Sequence, residues 1–202
     1  MISLRLTPIA YTISLSLVAF PVAAEPDERQ LITPAFVAEL KQQFEVPLVR
    51  KMVDWQNQRT QTAGAKEIEE LDSTWVRERE SSDKSLIVAT LSNPLSAYLQ
   101  RFQSQSLGLY SEIFVMDARG LNVGQSAITS DYWQGDEAKF QKTFTVSPTA
   151  VFIDEREFHD PSGTWRSQVS FTLADPGGTQ ALGAVTVEVN LTELARRQVK
   201  GS

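Results

Sequence analysis

Two groups of side chains in this sequence carry the chemistry to hold a small molecule. Ser126, Thr129, Asp131, Tyr132 and Trp133 bring two hydroxyls, a carboxylate and two large rings into one short stretch. Aromatic walls with one or two polar groups are how concave sites fix a ligand. Farther along, Trp165, Val169, Phe171 and Leu173 alternate with Arg166, Gln168, Ser170 and Thr172, which places the polar set on one face of a strand. A guanidinium on that face takes a carboxylate through two hydrogen bonds. Each group also has a plainer reading. The rings of Tyr132 and Trp133 plug the core under a loop, the hydroxyls close turns, and Arg166 pairs with Asp154, Glu155 or Glu157 on the adjacent strand.

Other chemistry lacks its parts. There is no cysteine, which excludes thiolate metal sites, cysteine nucleophiles and thiol redox steps. His159 is the single histidine and sits beside Asp160 in a turn, too few ligands for a metal centre. No Gly-rich phosphate loop, nucleophile elbow or His-Glu-x-x-His string occurs. Trp55 and Trp75 lie on helical stripes and read as packing residues. The expectation is a chain that is not an enzyme and uses no cofactor or metal.

The elements that must position these residues follow from hydrophobic spacing. Thr33 before Pro34 starts a helix, and Phe36, Leu40, Phe44, Leu48 and Met52 recur every four residues. One amphipathic helix to about Arg59 is expected, kinked near residues 43–47 by Pro47. After a break at Thr62-Ala63-Gly64 a second helix carries Ile68, Leu71 and Trp75; residues 81–85 form a loop or a helix restart. Pro94 opens another helix, with Leu95, Tyr98, Leu99 and Phe102 on its apolar face. Ile113–Met116 and Leu121–Val123 flank the turn Asp117-Ala118-Arg119-Gly120 as a β-hairpin, and a short helix then holds Phe140 and Phe144. Strands follow over Val151–Phe158, Trp165–Leu173 and Leu182–Val189, the last reading as central because both its faces are aliphatic. Asn190 and Glu193 form a capping box for a terminal helix, Leu191 to about Gln198. The fold class is α+β: helices over residues 33–104 packed on an antiparallel sheet of about five strands over 110–198, with a short C-terminal helix, as one domain spanning 33–200.

The first 24 residues differ from the rest. Arg5 is their only charge, Ile13–Val22 is apolar, and Val22-Ala23-Ala24 offers the small residues a signal peptidase needs. The expectation is a signal peptide over 1–24, cleaved after Ala24, then an exposed leader over 25–32 and a periplasmic chain. Without Arg5, 18 basic side chains face 25 acidic ones. A net negative charge repels phosphate backbones, so nucleic acid is not the partner.

The order of elements resembles the single Cache domain, a PAS-like extracellular sensor family also called PDC. The long N-terminal helix carries the resemblance, with the hairpin Ile113-Phe114-Val115-Met116-Asp117-Ala118-Arg119-Gly120 followed by Thr129-Ser130-Asp131-Tyr132-Trp133-Gln134-Gly135-Asp136-Glu137. The closing strand Gly183-Ala184-Val185-Thr186-Val187-Glu188-Val189 completes it. The resemblance implies a small organic ligand, such as a carboxylate, amino acid or amine. It further implies signalling to a membrane histidine kinase, cyclase or chemoreceptor, since no output domain follows here. A homodimer through the N-terminal helix also fits. One alternative is a ligand-independent exported module that docks on a membrane partner; another is an exported hydrolase. The processing expectation has a direct check: intact mass of the exported chain should begin at Glu25, and a membrane-bound chain retaining residues 1–24 would refute it.

Overall fold

The computed structural model describes residues 28–201, so the expected signal peptide lies outside the described residues. Helices α1 (Pro34–Gln42), α2 (Pro47–Thr60), α3 (Ala65–Glu80), α4 (Ser85–Leu91) and α5 (Pro94–Gln105) come first. Strands β1 (Tyr110–Met116) and β2 (Asn122–Gln125) follow, then α6 (Ala138–Gln141), β3 (Val151–Ile153), β4 (Glu157–His159), β5 (Thr164–Ala174), β6 (Ala181–Asn190) and α7 (Leu191–Gly201). The strands form one antiparallel sheet in the order β2-β1-β6-β5-β3, with β4 also paired to β5. β6 lies at the centre, as its aliphatic faces predict.

One face of the sheet is the apolar core. Leu40, Phe44, Val49, Val53, Leu95 and Leu99 from α1, α2, α5 and their connections pack on Ile113, Val115, Val169, Phe171, Val185 and Val187. The expected single N-terminal helix is two helices. Pro47 supplies no N–H and holds Val46 in the extended region at φ −69°, ψ 143°, so the chain breaks rather than kinks. The break shifts the buried stripe by one position: beyond it Val49 and Val53 are fully buried, while Leu48 and Met52 are only half-buried. Phe44 sits in the gap, edge-on to both Phe102 and Phe171.

Two local expectations change. The leader ends in the core rather than in solvent: a 3-10 turn covers Glu28–Leu31, Ile32 is 5% exposed, and the turn packs on α7. Helix α4 is capped from a distance. The Glu78 carboxylate of α3 accepts from the N–H groups of Leu86 (3.0 Å) and Ile87 (2.9 Å), the task an N-cap side chain performs locally.

The hairpin turns as expected. Asp117 Oδ1 accepts from the N–H groups of Arg119 (2.8 Å) and Leu121 (3.0 Å), and Gly120 takes φ 81°, a region open to glycine. The strand expected over Val151–Phe158 is split. β3 pairs Val151 with Phe171 whereas β4 pairs Glu157 with Arg166, so the register slips by one residue between them, a bulge at residues 154–156. Phe44→Ala should cost about 3–5 kcal/mol of stability, the usual loss for a buried phenylalanine. Urea unfolding checks this, and an unchanged midpoint would mean that the gap between α1 and α2 is not part of the core.

Candidate functional site

The second face of the sheet is polar where a core would be apolar. Register and alternation set Gln125, Phe114, Thr186, Ser170 and Phe152 in one row across β2, β1, β6, β5 and β3. The next row holds Glu112, Glu188 and Gln168, and beyond it Arg166 stands opposite Glu157. Phe140 and Phe144 pack on Phe114, Met116 and Ala184 and fill one half of this face. The other half forms a cavity of about 200 Å³ lined by Glu137, Lys139, Asp154, Glu155, Glu157, Arg166, Ser167, Gln168 and Glu188. The bulge at 154–156 explains why three acidic residues from so short a segment reach it, because the inserted residue re-aims the side chains after it.

The charge in this pocket is lopsided: five carboxylates stand against two cations, and both cations are paired. Arg166 Nη1 lies 2.9 Å from Glu188 Oε2, and Lys139 Nζ lies 2.9 Å from Glu137 Oε2. Glu112 adds a further carboxyl beside Glu188. Burial first, and the Glu188 charge second, push it up to about 7 against the opposing pull of Lys139 and Arg166. The excess of carboxylates attracts a cation, and Glu112 holds a proton near neutrality in its place. Elsewhere on this face, outside the pocket lining, Gln125 Nε2 and Thr172 Oγ1 are buried without a hydrogen-bond partner among the described residues.

The residues singled out by sequence fall in two places. Arg166 and Gln168 line the pocket, and Ser170 is buried beside it, its hydroxyl 3.0 Å from that of Thr186. Ser126, Thr129, Asp131, Tyr132 and Trp133 belong to the β2 edge, three strand spacings away in the sheet order, about 14 Å. Their polar groups serve local structure. Ser126 Oγ accepts from Ile113 N, Thr129 Oγ1 donates to the Asp131 carbonyl, and Trp133 Nε1 donates to the Arg119 carbonyl. Asp72 of α3 accepts from the backbone N–H groups of Tyr132 and Trp133, and Tyr132 stacks on Trp75. The two groups singled out by sequence thus stand apart in the sheet order. Arg166 pairs with neither Asp154, Glu155 nor Glu157 but with Glu188, its diagonal neighbour on β6. His159, expected in the turn, instead ends β4 opposite Thr164, with Nδ1 2.7 Å from Ser162 Oγ of the turn that follows. Glu137, Lys139, Asp154, Glu155, Glu157, Ser167 and Glu188 line the pocket without having been site candidates from sequence, and Glu112 stands beside it opposite Glu188; the available signal was a glutamate in each of two strands otherwise rich in buried side chains.

No protein-family profile and no curated protein matches the chain. Among solved structures it is similar to the extracellular domain of the candidate histidine kinase rpHK1S-Z16, at 18% identity and TM-score 0.41 over 65% of this chain and 57% of that one. The sensory domain of the Campylobacter jejuni chemoreceptor Tlp3 gives 10% identity and TM-score 0.39, over 83% and 65% of the two chains. The ligand-binding domain of the Pseudomonas aeruginosa amino acid chemoreceptor PctC, in complex with GABA, gives 14% and 0.36, over 80% and 63%. The chain thus spans roughly three fifths of the length of these sensor domains.

The raised Glu112 carboxyl has a measurable consequence. Its folded value of about 7 exceeds its ordinary 4.5, so the folded state holds a proton that the unfolded state releases. Stability from this group is full below about pH 4.5 and falls as pH rises to about 7. Glu112→Gln removes the penalty. The variant should match wild type at pH 4 and exceed it at pH 8 by on the order of 3 kcal/mol at most, read from urea midpoints. An equal gap at both pH values would show that Glu112 ionises freely.

Proposed function

We propose that this protein is an exported small-molecule binding module of a signalling system, and that its ligand carries an ammonium group, as an amine or an amino acid does. The observation that supports this reading is the excess of five carboxylates over two cations in a recessed pocket on the central sheet. Like charges crowded in one recess repel, and a bound cation offsets that repulsion. Arg166 is engaged by Glu188, so a purely anionic ligand would have to break that pair, whereas an ammonium joins the existing carboxylates. For an amino acid, the ammonium goes to the Glu112–Glu188 side and the carboxylate to the remaining donors of Arg166 or to Lys139. The mature chain begins at Glu25. Its readout partner is a membrane histidine kinase, cyclase or chemoreceptor, a class that comes from the resemblance to single Cache domains. Among the described residues no helix is long and apolar enough to cross a membrane.

A thermal-shift screen of primary amines, amino acids and dicarboxylates tests the ligand class. A ligand at a hundred times its dissociation constant adds about 2.7 kcal/mol, which in a domain of this size raises Tm by roughly 5–10 °C. Amines or amino acids should produce the shift, more strongly at pH 8 than at pH 5.5 because Glu112 must release its proton to meet the cation. Paired Glu155→Gln and Glu157→Gln substitutions should weaken it. Shifts from dicarboxylates alone would overturn the charge argument.

A further inference from the structure

A second cavity, of about 710 Å³, lies between α2, α3, α4 and β2. Its apolar lining comes from Met52 and Trp55 on α2, Leu71 on α3, Leu86 on α4, and Leu121 and Val123 below. It exists because α2 and α4 both lean on β2 while α3 is carried away from α2 by the turn at residues 61–64. Its size falls within the range of small-molecule sites, roughly 300–1,000 Å³.

Three features give this space the character of a ligand site rather than a packing gap. At the mouth Trp55 keeps 52% of its surface exposed, with the Arg59 guanidinium 4.5 Å from its ring. The two are one helical turn apart, and the stack holds the indole in place. At the back Tyr132 leans on Trp75 with ring centroids 5.3 Å apart, and Thr90 lines the same cavity, its hydroxyl donating to the Leu86 carbonyl. Burial pushes that phenol up to about 12, so it remains a neutral hydrogen-bonding group at any physiological pH. Between them the Gln56 amide is fixed by Asp117 Oδ2 and by the carbonyls of Leu121 and Asn122. Charge is balanced, since among the described residues Arg59 and Glu67 are the only ionic ones of the lining.

We propose that this cavity is a second ligand site, separate from the acidic pocket, and that it takes a neutral, flat, ring-bearing molecule with one hydrogen-bonding group. The ring lies against Trp55 and the apolar walls, and the polar group reaches Tyr132 and Thr90. A docked protein segment fits less well. Of the large apolar side chains that are exposed among the described residues, only Trp55 belongs to this lining, so the apolar surface is recessed where a small molecule reaches it and a partner surface does not.

The fluorescent probe N-phenyl-1-naphthylamine, neutral and flat, tests this on the mature chain. Saturable binding of one probe per chain is expected. Trp55→Ala and the cavity-filling Ala89→Phe should each weaken it by about tenfold or more. The half-exposed Trp55 keeps the test meaningful if Ala89→Phe unfolds the protein, which circular dichroism reports. Among competitors, 2-naphthol should displace the probe better than naphthalene, and Tyr132→Phe should erase that preference. Absence of saturable binding, or binding indifferent to both cavity variants, overturns the proposal. So does sedimentation showing a dimer that Trp55→Ala dissolves, because a second copy would then occupy the groove. None of these readings depends on whether an amine binds the acidic pocket.

Discussion

The Asp117 carboxylate ties the sheet to its helices. It is fully buried, and a carboxylate withdrawn from water must have its oxygens occupied. Oδ1 takes the N–H groups of Arg119 and Leu121, which closes the hairpin. Oδ2 takes the side chains of Gln56 (3.1 Å) and Thr60 (2.9 Å) from α2. One side chain thus sets the aim of β2 and clamps the helix that lies across it. Both cavities share this anchor: β2 floors the apolar one, and its hairpin partner β1 carries Glu112 and Phe114 on the polar face.

The two faces of the sheet differ in what they bury. The helix-covered face supplies the apolar burial, with Val49, Val53, Val185 and Val187 all fully buried. That surplus lets the other face hold Glu112, Gln125, Thr172 and Thr186 at a cost that a domain without such a core could not carry. The polar face contributes less to stability and leaves the buried Gln125 Nε2 and Thr172 Oγ1 without partners among the described residues.

Much of the architecture was legible because periodicity reports which side of an element is buried. β6 was recognisable as central from Val185, Val187 and Val189 alternating with Ala184 and Thr186, and α7 from the Asn190 cap, whose Oδ1 accepts from Glu193 N. The pocket was less legible because its parts converge only through pairing. Nothing local to Glu188 reveals that Arg166 lies diagonal to it. The slip that turns Asp154, Glu155 and Glu157 toward one cavity depends on two separate registers against β5. Likewise α4 has no cap of its own, and the distant Glu78 supplies it. The aromatic segment at Tyr132 was noticed for its composition, but its hydrogen bonds to Asp72 fasten it to α3 instead of to the sheet face.

The bulge between β3 and β4 also bears on how this chain behaves among its own copies. An uninterrupted edge strand offers a row of unpaired amide groups on which another molecule can add a strand. Here that margin is cut into two three-residue pieces out of step with each other, and acidic side chains stand at the cut. At the opposite margin the returning backbone of Tyr132–Gln134 bonds to Gly120 and Asn122 and bridges Leu121 to Trp133, occupying amides that would otherwise face outward. The segment that shapes the acidic pocket therefore also guards the sheet against edge-to-edge aggregation, so a change that straightened it to reshape the pocket would cost colloidal stability.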